Sequence, residues 1–321
     1  MIEFENWLHS YPQLAQKGIL AGGKVKVSKK IDEIIFCGMG GSSAPALILK
    51  PFFEKRGIRC NIVQTFRLPK KISRKALIVI ASYSGNTAET IKAFKRALGT
   101  GRKVLVISSD GKLLSLARKK KVSAIEIEKG LLPRLALPIF LFTYLSVFSN
   151  LLGIGNKEIG NSVKIMLSEN YVDKAREIAE KIVDTLPVIY AFDDYYGIAY
   201  RFKTQINENA KTHAFVSKLP EASHNEIEGY EDSKKSCKIS SIFILGDLSN
   251  FEKKILASFK EVISDRVAQI IEIFPKGKTF LQKTIYLICL LDWISYFLAK
   301  LKGIDPSKTP LIEKYKQQLT L

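Results

Sequence analysis

Short apolar, β-branched runs alternate with helix-forming stretches from residue 33 onward, and few folds accept that alternation. The runs at 33–37, 60–64, 76–81, 103–107 and 122–127 have strand length and are almost continuously apolar, as expected of strands buried on both faces. Stretches 43–55, 87–98 and 112–119 between them read as helices. Strand and helix in turn imply a parallel sheet with helices on both faces and ligands at the carboxyl ends of its strands. The second half repeats the rhythm, with strands at 187–192, 213–217, 241–245 and 267–274 and helices at 198–211, 251–263 and 279–301. A helical segment, 160–184, leads into it. The chain of 321 residues is long for one core and suits two domains, expected at 1–155 and 156–321.

Two of the strand ends carry unusual turns. After the first strand comes Gly38-Met39-Gly40-Gly41-Ser42-Ser43, and after the third comes Ser82-Tyr83-Ser84-Gly85-Asn86-Thr87. Each precedes a helix. Helix N-termini present unpaired N–H donors and a positive dipole end, hydroxyls add donors without bulk, and glycine lets the backbone come close to a ligand. The first turn lacks the third glycine of a dinucleotide fingerprint and the Lys-Ser/Thr of a Walker loop. Together the two turns predict a phosphate site, with Gly40, Gly41, Ser42, Ser82, Ser84 and Thr87 around the anion.

Composition narrows the setting. Fifty Lys and Arg against 31 Asp and Glu give a net charge of +19. A lysine-rich solvated surface is the default account, with attraction of small anionic substrates beside it. The basic clusters at 24–30, 70–75, 118–121 and 234–238 are scattered and match no nucleic-acid motif, so no nucleic-acid partner is expected. The four cysteines show no metal or redox spacing, and Cys37 and Cys289 lie in apolar runs, which predicts buried free thiols in a reducing cytosol. The amino terminus lacks the regions of a signal peptide. Residues 135–156 carry no charge, but Pro138 and several polar residues interrupt them, so a helix buried between domains is expected rather than a membrane span. No cluster offers a metal site.

The turns resemble those of the SIS (sugar isomerase) domain family, in which a Ser-x-Ser-Gly-x-Thr segment holds a sugar phosphate. Three further segments extend the resemblance. They are Asn207-Glu208-Asn209-Ala210-Lys211 at a helix end, a Ser223-His224-Asn225-Glu226 loop, and Pro133-Arg134 before the apolar helix. Glutamate, histidine and arginine are what aldose–ketose isomerisation needs: a base to move a proton between adjacent carbons, an acid/base to open the ring, and a cation to stabilise the enediolate. With the C-terminal Thr309-Pro310-x-Ile312-x-x-x-Lys316, these segments resemble, almost end to end, the bifunctional phosphoglucose/phosphomannose isomerases.

The resemblance implies an α/β chain of two SIS-type αβα sandwich domains, each with a mainly parallel, flavodoxin-like sheet. It implies a cytoplasmic, cofactor-free isomerase of glucose 6-phosphate, mannose 6-phosphate and fructose 6-phosphate. Glu208 would be the base, Arg134 the enediolate stabiliser, and His224 and Lys316 the ring-opening groups. Thr309 is the residue tied to mannose 6-phosphate. A homodimer is implied, with His224 reaching the partner's site. Ser223 stands where the family usually has asparagine. His213 opens a predicted strand and reads as structural. A SIS isomerase of another sugar phosphate and a non-catalytic sugar-phosphate sensor are the alternatives.

Overall fold

The computed structural model describes residues 2–167, 170–232 and 238–319; Cys237 and most of the 234–238 basic run lie outside them. The chain forms two compact units, one of Ser10–Leu167 and one of Met1–His9 with Ser168–Leu321.

The first unit opens with α2 (Tyr11–Gly22), which follows α1 (Ile2–His9) of the other unit. Its five strands are β1 (Glu33–Cys37), β2 (Arg59–Val63), β3 (Leu77–Ser82), β4 (Lys103–Ser108) and β5 (Ser123–Glu126). Their spatial order is β2-β1-β3-β4-β5, and every pairing is parallel. All residues of β1 and β3 are buried, because helices cover both faces. On one face Ile35, Cys37, Ile78 and Ile80 pack against α4 (Ala88–Leu98) and α5 (Gly111–Lys119). On the other, the Phe36 ring meets Phe53 of α3 (Ala44–Glu54) and Tyr144 and Phe148 of α6 (Leu137–Leu152). The uncharged stretch is thus a core helix of this unit, packed on α2 and α3. Gly18 and Gly22 allow the close approach of α2, since a Cβ on either would lie 2.4 Å from a carbonyl oxygen of α6. Helix α7 (Asn156–Ile165) completes the unit.

In the second unit, β6 (Leu186–Ala191), β7 (Phe215–Lys218), β8 (Ile239–Ile244) and β9 (Gln269–Ile273) form a parallel sheet ordered β7-β6-β8-β9. Around it run α8 (Asn170–Ile182), α9 (Asp193–Asn209), α10 (Asn250–Ile263) and α11 (Phe280–Leu301), and α12 (Pro310–Leu319) ends the chain. The expected 160–184 segment is therefore two helices, α7 and α8. Helix α9 starts at Asp193, five residues before the expected 198, because Asp193 and Asp194 suit a first turn. Helix α11 is long and apolar enough to cross a membrane, but 89% of its most apolar window is buried in the protein, where it packs on α8 and α9.

Candidate active site

In the first unit the strand order reverses between β1 and β3, and there the two unusual turns lie. Strands β1 and β3 are hydrogen-bonded neighbours, so both turns leave the same end of adjacent strands, where open parallel sheets hold their ligands. The glycine turn forms a short 3-10 segment, Gly40–Ser42. Ser42 is buried and accepts a 2.9 Å hydrogen bond from the Tyr83 N–H through its Oγ, which ties the two turns together. The Ser82 and Thr87 hydroxyls stand 3.1 Å apart. Thr87 precedes α4 but gives it no side-chain cap, so the first N–H groups of α4 keep their capacity for an anion. Ser43 gives none to α3 either, but the second residue of α3 is Pro45, which has no N–H to offer. Gly85 has φ +66°, and a Cβ there would lie 1.8 Å from the Asp110 carbonyl oxygen. No other residue fits that turn without strain.

Arg134 belongs to the same place. It is buried, with 5% of its surface exposed, just before α6. A Cβ on Gly41 would lie 2.8 Å from the Pro133 carbonyl oxygen and 3.3 Å from the Arg134 Cα, so the glycine turn rests on the arginine segment. Tyr83 binds the arrangement together. Its hydroxyl donates to the Glu128 carbonyl at 3.1 Å and accepts from the Leu131 N–H at 2.7 Å, and its own carbonyl accepts from Ser109 Oγ at 2.6 Å. Burial pushes its phenol above the usual tyrosine range. Gly40, Gly41, Ser42, Ser82, Ser84, Thr87 and Arg134 thus gather at one end of one sheet. Sequence reasoning passed over Tyr83, although a bulky aromatic between two turn serines is the signal for it.

The second unit carries the other group. Glu208 lies on the last turn of α9 between two anchored asparagines. Asn207 Nδ2 donates to the Thr212 carbonyl at 2.7 Å, and Asn209 Nδ2, fully buried, to Ser295 Oγ at 2.9 Å. Lys211 takes φ +51° and turns its Nζ back onto the Glu208 carbonyl. About two turns earlier, buried Arg201 forms a two-pronged ion pair with buried Asp292 of α11, its Nη2 donating to Oδ2 at 2.9 Å, and Gln205 adds a longer contact at 3.3 Å. Breaking such a pair strands a charge and costs about 3–5 kcal/mol, so the end of α9 is firmly placed. Sequence reasoning missed this pair because its members are far apart in the chain.

A cavity of about 620 Å³ opens beside Glu208 and is lined also by Lys203, His213, Thr309 and Ile312. Glu208 and Thr309 therefore share one cavity. Lys316 is exposed on α12, the helix that Thr309 precedes. His224 is exposed in a separate 3-10 turn, Glu221–His224, and does not line that cavity. Ser223, where the asparagine was expected, donates to the Pro220 carbonyl within that turn. His213, read as structural, also lines the cavity.

A protein of Aquifex aeolicus called bifunctional phosphoglucose/phosphomannose isomerase is 35% identical over 89% of this chain and 90% of its own length. The chain belongs to the bifunctional phosphoglucose/phosphomannose isomerase family. A family member from Thermoplasma volcanium is 32% identical over 90% of this chain and 92% of its own. A protein of Sulfolobus acidocaldarius called D-glucosamine-6-phosphate 4-epimerase is 30% identical over 98% of this chain and 96% of its own. The signature of the bacterial phospho-glucose isomerase C-terminal SIS domain matches residues 171–319. Among solved structures, the C-terminal domain of glucosamine-fructose-6-phosphate aminotransferase from Francisella tularensis superposes with a TM-score of 0.73 at 16% identity, covering 94% of this chain and 96% of that one. Thermotoga maritima glucosamine-6-phosphate deaminase superposes at 0.72, also at 16% identity, covering 96% of each chain. These likenesses establish the α/β SIS fold of this bifunctional isomerase family member.

Proposed function

We propose that this protein interconverts glucose 6-phosphate and fructose 6-phosphate, and mannose 6-phosphate and fructose 6-phosphate, by proton transfer between C1 and C2. The observation that carries the reading is the placement of Glu208, fixed between two anchored asparagines on the wall of a cavity large enough for a sugar phosphate. Ser42, Ser82, Ser84 and Thr87, with Gly40 and Gly41, anchor the phosphate through hydroxyl and backbone N–H donors. Glu208 takes the proton from one carbon and returns it to the other. The Arg134 guanidinium, with its fixed charge, stabilises the enediolate. Lys316 and His224 move the proton that opens and closes the ring, and Thr309 accommodates the mannose epimer. His224 serves the site of a second copy in a homodimer; its exposure and its absence from the lining of the Glu208 cavity support that role. The protein acts in the cytoplasm, which the buried free thiols Cys37, Cys60 and Cys289 support.

The epimerase relative favours a second reading, inversion at C4 of an amino-sugar phosphate by the same grip on the phosphate. One assay separates the two. The protein is given fructose 6-phosphate with both aldose products scored, and separately glucosamine 6-phosphate with its C4 epimer scored. Both aldoses from the first and nothing from the second is the expected result. Epimer without aldoses replaces the isomerase reading, and binding without turnover makes the protein a sensor.

A further inference from the structure

Away from the strand ends that carry the turns, the first unit has a second concave surface rich in positive charge. The loop from β2 to β3 and the link from α4 to β4 enclose a hollow of about 600 Å³ lined by Arg67, Lys70, Lys71, Arg96 and Arg102, with Leu68, Pro69 and Ile72 as its apolar part. Arg102 immediately precedes β4, which puts the hollow at the amino end of that strand, opposite the serine and glycine turns.

Two of its cations are fixed. Arg102 donates from all three guanidinium nitrogens to carbonyls, at 2.7 Å to Ser73, 3.2 Å to Thr100 and 3.3 Å to Ile72. Arg96 donates to the Phe66 carbonyl at 2.8 Å. The Phe66 ring is then surrounded by cations: Arg96 at 4.8 Å, Lys92 at 5.5 Å and Arg67 at 5.7 Å from its centre. Among the described residues no carboxylate forms an ion pair with any of these six. Glu33, which accepts from the Ser73 N–H beside Arg102, is already engaged by Asn61, that N–H and Arg59. Six uncompensated like charges repel one another. Solvent ions screen them one at a time; a multivalent anion answers several together, through charge-assisted hydrogen bonds from groups the fold has already placed.

We propose that this hollow binds a small anion bearing two or more linked phosphate groups. Its volume lies in the range of small-ligand sites. A nucleic-acid strand needs aromatic faces for its bases, and the one aromatic ring here already lies under three cations. The site is independent of the isomerase reading.

The test is calorimetric titration of the full chain with inorganic tripolyphosphate, saturating fructose 6-phosphate being present throughout, compared with the double variant Lys70→Glu/Lys71→Glu. Both lysines are exposed, and thermal melting verifies that the variant is folded. Wild type is expected to show one saturable site whose affinity falls steeply with salt, and the variant to bind about tenfold or more weakly with unchanged sugar-phosphate turnover. No binding, or equal binding by both proteins, overturns the proposal. So does tighter binding of a single-stranded RNA than of tripolyphosphate, if the variant loses it, because the face is then a nucleic-acid surface.

Discussion

Each sheet has a point where strand order reverses, between β1 and β3 in the first unit and between β6 and β8 in the second. The fold places a crevice at both, yet the two are chemically opposite. At β1/β3 the strand ends are glycines and serines, and no side chain caps the helices that follow. At β6/β8 a cavity of about 320 Å³ is lined by Asp193, Asp194, Asp247 and Glu252. Tyr195 lies so close to Gly246 that a Cβ there would meet its ring at 2.0 Å. Ser249 and Glu252 form a reciprocal capping box on α10, so two donors that an anion needs are already engaged. Asp193 and Asp247 are paired instead with Lys218 and Lys283. Even in a chain of net charge +19, the second crevice is lined by carboxylates where the first offers hydroxyl and N–H donors. A repeated fold therefore marks where a site can be, and the residues after each strand decide whether it is one.

Reversing the chemistry of the two crevices gives the largest expected effect. On the proposed phosphate site, Ser84→Asp puts a carboxylate against the anion, and since unit charges about 4 Å apart repel by about 4 kcal/mol near a protein surface, kcat/KM should fall by about 100-fold or more. Asp247→Ser in the other crevice should leave steady-state kinetics unchanged. A shared loss of activity breaks the comparison. Glu208→Gln comes next, with kcat falling on the order of 100-fold while KM for fructose 6-phosphate changes little; near-normal turnover by a folded variant removes the general base from the mechanism. Tyr83→Phe leaves the Leu131 N–H without its acceptor and should cost about 1–3 kcal/mol in denaturant unfolding. The matching change at the other crevice, Tyr195→Phe, should stay within about 0.5 kcal/mol.

The two units should agree on the smallest effect. Burial pushes the Cys37 and Cys60 thiols from 9.0 up to about 12 and raises Tyr144 of the first unit and Cys289 and Tyr190 of the second. The folded chain holds these protons more tightly than the unfolded one. The stability they supply is complete below pH 9 and is lost as pH climbs toward 12. Melting temperatures should hold up to about pH 9 and fall from there to pH 11, and a flat profile contradicts the burial.

Most of the framework is legible in the chain itself. β1 and β3 are buried on both faces, so their apolar runs are unbroken, and their turns are written in glycine and hydroxyl residues within a few positions. Contacts made at long range are not legible. Nothing near Arg201 announces Asp292, nothing near Gly246 announces Tyr195, and Tyr83 matters through Glu128 and Leu131. Helices α1 and α2 at the start and α12 at the end also escaped, because short amphipathic helices in polar surroundings carry a weak periodic signal. His213 looked like the first residue of a strand; β7 begins at Phe215, and His213 lines the Glu208 cavity.

Tyr83 joins the serine turn, the Ser42 turn and the loop leading to Arg134 through hydrogen bonds made by a single residue. Mutational drift in any one of the three must be tolerated by the other two, so the anchoring end is expected to change slowly and all at once. Thr309 and its helix are carried on a separate stretch of chain in the other unit, free to vary alone. On the proposed function, the taste for a particular sugar can therefore shift within one lineage while the grip on its phosphate stays as it was.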